Sequence, residues 1–126
     1  PVFLKKLASF VRGKTVFFTI DLDGLDPSIM PAVGTPEPGG LSWERTMEIA
    51  DVVCRNARKV PVFDVVELSP IPTMSAPDYM AALLVYKLMS KILLRKENTP
   101  LTRISHKFCE KCVNAVFSRV FARVPP

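Results

Sequence analysis

Histidine is almost absent from this chain: the single copy, His106, sits near the C-terminal end. Any metal site upstream of it therefore has to rest on carboxylates rather than imidazoles. Cysteine is scarce as well. Three copies, an odd count, argue against a closed disulfide framework and fit a reducing compartment, so a cytoplasmic location is expected, with the mitochondrion as the alternative. No apolar run approaches the ~18 residues of a membrane span; Met80 to Tyr86 is the longest candidate and is short. A membrane partner is accordingly not expected. The start, Pro1-Val2-Phe3-Leu4-Lys5-Lys6, has neither an initiator methionine nor the layout of a signal peptide. The expectation is the middle of a longer protein.

Apolar residues, by contrast, are plentiful. They make up 48% of the 126 residues, with a mean hydropathy of +0.23. That length allows one domain with a real core. The apolar content is high for so short a soluble chain and fits a piece of a larger α/β protein, whose buried strands come without their covering partners. The net charge of +5 is dispersed and so points only weakly to an anionic partner. Basic residues are not interleaved with aromatics in any nucleic-acid-binding motif, and no nucleic-acid partner is expected.

Thr15 to Ile20 reads Thr-Val-Phe-Phe-Thr-Ile, the β-branched and aromatic composition of a buried strand. The chain then switches to acid at Asp21 and Asp23, and Asp26-Pro27 forces a turn. Asp21 and Asp23 lie two apart, so in extended geometry both carboxylates point to one side. Converging carboxylates repel unless a cation sits between them, and oxygen ligands suit Mg²⁺, Mn²⁺ or Ca²⁺. Taken alone, an Asp-x-Asp is also what turns and helix caps use.

From Gly24 to Gly40 there are four prolines and four glycines, too many for a helix or strand. A loop of that length at the carboxyl end of a strand is where open α/β sheets place ligands, although a rigid crossover is the plainer reading. Phe3 to Arg12 has helical spacing with Gly13 as a C-cap. Ser42 is an N-cap for a helix to about Arg58, with Trp43, Met47, Ala50, Val53, Cys54 and Ala57 on its apolar face. Cys54 is thus a core residue, not a nucleophile. Val60 to Leu68 is a second buried strand, and Ser75-Ala76-Pro77-Asp78 opens a long helix near 77–95 that is expected to be buried on most of its surface. Strand, helix, strand implies a parallel pair. Parallel strands end on one edge of the sheet, which brings Glu67 to the rim of Asp21 and Asp23. Asp64, on the same strand, is expected to serve structure by pairing with a loop group.

The run from Thr19 through Asp21, Asp23, Pro27, Pro31 and Ala32 to Gly34-Thr35-Pro36-Glu37-Pro38-Gly39-Gly40 resembles the ureohydrolase family of arginases and agmatinases, and the agmatinase branch more than the animal arginases. Thr19 stands where the family more often has serine. The resemblance covers about Lys14 to Leu94, the C-terminal part of such an enzyme. It implies a three-layer αβα fold with a parallel sheet for residues 1–95. It also implies Mn²⁺-dependent hydrolysis of a guanidino compound, agmatine favoured, to urea and an amine, in a homo-oligomer. By the same resemblance Asp21 and Asp23 are metal ligands of a site with two Mn²⁺ in the complete enzyme. Asp21 also acts catalytically by assisting proton delivery to the leaving amine, Glu67 binds the substrate guanidinium, and Thr35 and Glu37 lie on a loop lining the pocket without an assigned role.

The family's other metal ligands come from segments of the type Gly-Gly-Asp-His and Asp-Ala-His-x-Asp, and neither occurs here. Two aspartates hold half of a dinuclear site, so the chain alone is expected to be inactive. The alternative is a non-catalytic structural or interaction module derived from a ureohydrolase C-terminal half. Residues 96–126 lie outside the resemblance. From Glu97 to Pro126 there are five basic residues against two acidic, and a basic amphipathic helix is expected there. His106-x-x-Cys109-x-x-Cys112 supplies at most three zinc ligands with no evident fourth, so core or interface cysteines are preferred.

Overall fold

A computed structural model describes residues 2–94. The predicted tail helix and the His106–Cys112 spacing lie outside the described residues. Within them the order is α1 (Val2–Val11), β1 (Thr15–Asp21), α2 (Trp43–Asn56), β2 (Lys59–Val66) and α3 (Ala76–Leu94), with a single 3-10 turn at Leu22–Gly24. No helix among the described residues is long and apolar enough to cross a membrane.

The two strands pair in parallel, as the strand–helix–strand pattern requires, and form a two-stranded sheet. Phe17 lies opposite Val62, Thr19 opposite Asp64 and Asp21 opposite Val66. The register slips by one residue between Thr15↔Lys59 and Phe17↔Val62, so β2 holds the extra residue. Pro61 sits in that interval, and a bulge removes the need for the ladder N–H that proline lacks.

Helix boundaries follow local chemistry. Gly13 ends the α1 segment at φ 71°, a left-handed conformation that glycine adopts without a Cβ clash. Ser42 caps α2, its hydroxyl accepting from the Arg45 backbone N–H at 3.2 Å. Pro77 lies in the first turn of α3, where its missing N–H costs nothing. Lys91 of α3 pairs with Asp51 of α2, tying the two helices together.

Every helix contributes to one face of the sheet. Ile20, Leu22, Leu25 and Met30 pack with Ala50, Ala81, Leu84 and Leu88, while Val11, Val53, Ala57 and Val60 form an adjoining cluster. Cys54 is buried, as its place on the apolar face of α2 predicts. The opposite face, which carries alternate residues of the same strands, is left bare by the described residues: Phe17 is 61% exposed and Val62 56%. The described residues are therefore the sheet and one helical flank of an α/β sandwich.

Two expectations change. The second strand stops at Val66 instead of running to Leu68, because Glu67 adopts a left-handed backbone at φ 65° that breaks the extended run. Helix α3 is covered along one side only, with Leu84 and Leu88 wholly buried but Tyr79, Tyr86 and Leu93 exposed. It is packed against α2 and β2, and nothing among the described residues lies over its outer side.

Candidate functional site

Both strands end at one rim. The register sets Asp21 opposite Val66, so Glu67, the next residue, follows directly at the mouth of the strand pair. This is the parallel geometry inferred from the sequence, and it is independent of any family.

The path from Asp21 to Asp23 differs from the extended alternation expected. Asp21 is the last residue of β1 and caps the 3-10 turn, where its carboxylate Oδ1 accepts the Asp23 backbone N–H at 2.9 Å. Leu22 between them is completely buried, and this anchors the turn. The turn that carries Asp23 is thus set by a side-chain cap from Asp21 rather than by strand pleating. Asp21 is exposed and Asp23 half-buried.

The long loop then folds back over the turn. Leu41 N–H donates to Gly24 O at 2.8 Å, and Asp26 N–H donates to Leu41 O at 3.0 Å, forming a short parallel bridge. Gly40 lies so close that a Cβ there would stand 2.7 Å from the Leu25 carbonyl carbon, which only glycine permits. Asp26 clamps the loop from within. Its Oδ1 accepts from the Ser28 N–H and hydroxyl, and its Oδ2 from the Gly39 N–H at 2.9 Å. These bonds, the Ser28 hydroxyl foremost, hold the Asp26 carboxyl below its ordinary value. The exit from β2 is tied in as well, with Ser69 N–H donating to Ala32 O at 2.8 Å.

Folding back brings Thr35 onto Asp23: its hydroxyl donates to Asp23 Oδ2. The sequence placed Thr35 on the loop and gave it no role, since a contact spanning a non-periodic loop leaves no pattern to read. The other oxygen, Asp23 Oδ1, is buried with no hydrogen-bond partner among the described residues. A desolvated carboxylate oxygen without a donor is unfavourable unless a cation meets it. The hard oxygen donors of Asp21 and Asp23 fit a divalent cation in kind. They are too few in number, because no group of three or more His, Cys, Asp or Glu side chains converges among the described residues.

Asp64 departs from expectation. It is half-buried, and its Oδ1 has no partner among the described residues, so the anticipated bond to a loop group is not made. By register it lies opposite Thr19.

Comparison with known proteins bears on the family and the fold. The chain is 37% identical over 89 residues to N(1)-aminopropylagmatine ureohydrolase from Synechocystis sp., covering 71% of this chain and 29% of that protein. It is 47% identical over 74 residues to the protein of the same name from Thermus thermophilus, covering 59% and 25%. The crystal structure of a hypothetical agmatinase from Burkholderia thailandensis superposes with a TM-score of 0.65 at 29% identity, covering 78% of this chain and 31% of that one. The chain thus spans less than a third of the length of these relatives. Residues 2–94 match the model of the arginase family, and it is to the arginase family that this chain belongs.

Proposed function

We propose that this chain forms the C-terminal part of a manganese-dependent amidinohydrolase that converts a guanidino compound of the agmatine type to urea and an amine. The observation that carries the reading is the rim itself: the parallel register gathers Asp21, Asp23 and Glu67 where the two strands end. The relatives named for agmatine and for N(1)-aminopropylagmatine support an agmatine-like substrate.

In this reading Asp21 and Asp23 hold the metal, and segments outside this chain complete the ligand set in a homo-oligomeric enzyme. When bound, a divalent metal lowers the pKa of water and so supplies a nucleophile at neutral pH. In the same reading the Asp21 carboxylate, exposed at the rim, relays a proton to the departing amine nitrogen. Glu67 stands outside the strand ladder and is exposed, which leaves its carboxylate to grip a planar guanidinium through paired N–H···O bonds. The bonds of Asp26, Gly39 and Gly40 keep the loop folded back while substrate enters.

The test uses the full-length protein. Asp23→Asn is expected to lower Mn²⁺ retention and urea release together, because a neutral amide oxygen replaces a charged ligand. Glu67→Gln is expected to raise KM for agmatine with metal content near normal. Equal metal loss in both variants overturns this division of roles, and a full-length protein that releases no urea from any guanidino substrate overturns the function. The second reading is a non-catalytic module, with which the absence of a third converging ligand among the described residues is equally compatible. It predicts a full-length sequence that also lacks the His/Asp segments.

A further inference from the structure

We infer that Leu68 is a positioning residue for the guanidinium-binding carboxylate: anchored in the core, it holds the left-handed turn at Glu67 that keeps that side chain out at the rim. This rests on the reading of Glu67 as the group that grips the guanidinium, and goes beyond it by naming what sets its place. Glu67, at φ 65°, is the only non-glycine residue with positive φ among the described residues. Such a backbone is strained for a residue with a side chain, so its surroundings have to hold it there. Two neighbours do so. The Leu68 side chain packs against the cluster built on Ile20, Leu22 and Leu84. The Ser69 N–H donates at 2.8 Å to the carbonyl of Ala32, itself buried. On the other side the strand ladder fixes Val66 opposite Asp21.

The turn shifts the phase of the strand by one residue. Along β2, Val65 packs against the same cluster and Val66 is exposed. Had the extended run gone on, alternation with period two would put Glu67 on the side of Val65 and Leu68 on the side of Val66. A carboxylate would then be aimed at the apolar cluster and a leucine away from it, both unfavourable. The left-handed residue reverses the pair: Leu68 is half-buried against the cluster and Glu67 is exposed. Burial of Leu68 therefore offsets the strain at Glu67. It also leaves Glu67 with its backbone fixed on both sides. A carboxylate that grips a planar guanidinium through two parallel bonds needs such a fixed base, because the paired geometry tolerates little displacement.

The experiment compares wild type, Leu68→Met and Leu68→Ala in the full-length protein loaded with Mn²⁺. Methionine keeps the apolar anchor; alanine removes most of it. Leu68→Ala is expected to raise KM for agmatine about 10–100-fold, as a misplaced binding group does, with Mn²⁺ content unchanged. Leu68→Met is expected to keep the wild-type KM. A smaller folded fraction would instead lower the apparent kcat and leave KM alone. Wild-type KM in Leu68→Ala, loss of Mn²⁺ from it, or an equal rise in both variants therefore overturns the positioning role while leaving Glu67 its own. The turn is read without activity, by urea unfolding of Glu67→Gly and Glu67→Ala. Glycine is expected to have the higher midpoint, since it adopts the left-handed region freely. An equal or higher midpoint for alanine overturns the turn on which the role depends, whether or not Leu68→Ala folds. A full-length protein that releases no urea overturns the amidinohydrolase reading, and the role of Leu68 with it.

Discussion

The carboxylate of Asp21 accepts the backbone N–H of Asp23 at 2.9 Å, so one proposed ligand folds the turn that presents the other. Asp21 therefore has two separable duties, capping and charge. Asn keeps an oxygen that accepts the N–H, whereas Ala does not. In the metal-free full-length protein, Asp21→Asn is expected to unfold at the wild-type urea midpoint, and Asp21→Ala to lose about 1 kcal/mol, as for a lost cap elsewhere. Both are expected to lose Mn²⁺. Equal destabilisation by Asn and Ala would remove the cap from the account.

Gly40 makes a sharper steric prediction. A methyl group there meets Leu25 C at 2.7 Å, Asp26 N at 2.8 Å and Gly24 O at 2.9 Å, all backbone atoms that cannot rotate aside. Gly40→Ala is expected to destabilise the full-length protein by about 1–3 kcal/mol, the cost typical of overpacking. Gly34→Ala, with nothing within 4 Å of its Cβ, is the control and is expected to be nearly neutral. Thermal unfolding of the pair reads the difference directly.

Much of this frame was legible in the sequence, and the reason is periodicity. Thr15 to Ile20 has strand composition, Trp43 to Ala57 repeats its apolar residues at helical spacing, and Ser42 is a polar cap before that run. From strand, helix and strand the parallel pairing followed, and with it the meeting of Asp21, Asp23 and Glu67 at one rim. What stayed hidden is aperiodic. The bonds Thr35–Asp23 and Gly39–Asp26 join residues twelve and thirteen apart through an irregular loop. The left-handed backbone of Glu67 is rare for a side chain without special turn propensity. The unpartnered Oδ1 of Asp64 likewise leaves no trace in the pattern of the strand.

Acid should loosen the loop through Asp26. Its folded-state carboxyl is held below the ordinary 3.8 by the Ser28 hydroxyl, then by the Ser28 and Gly39 N–H groups. A lowered pKa means the folded state binds the proton less readily than the unfolded state. The stabilisation is thus complete above the ordinary value and is lost as pH falls through the lowered one. In the full-length protein, Asp26→Asn is expected to be less stable than wild type near neutral pH, with the gap closing below pH 3.8. Urea midpoints for the two proteins across that range check it. A gap that persists unchanged in strong acid would mean the carboxylate's charge contributes nothing.

The bare face of the sheet governs how the isolated 126-residue chain behaves. Phe17 and Val62 are register partners, 61% and 56% exposed, and Val66 extends the same patch toward the rim. Fully burying an exposed Phe or Val side chain contributes about 1.5–3 kcal/mol, and Phe17 and Val62 have little more than half of their surface left to bury, so two copies facing each other through this pair gain roughly 3.5–7 kcal/mol. Lost translational and rotational freedom costs about 4–15 kcal/mol, and the face alone is therefore marginal. The two-stranded sheet also has unpaired outer edges among the described residues, and edge pairing tips the balance toward association. The purified chain is expected to elute as oligomers or precipitate, and Phe17→Lys with Val62→Thr to shift it toward monomer. With two carboxylates at the rim, it is expected to bind Mn²⁺ no more tightly than about millimolar, the weak end of carboxylate sites. Size-exclusion chromatography and manganese titration of the same preparation test both points. A monomer that binds two Mn²⁺ tightly would mean that ligands from outside residues 2–94 complete the site, with His106 the first to substitute.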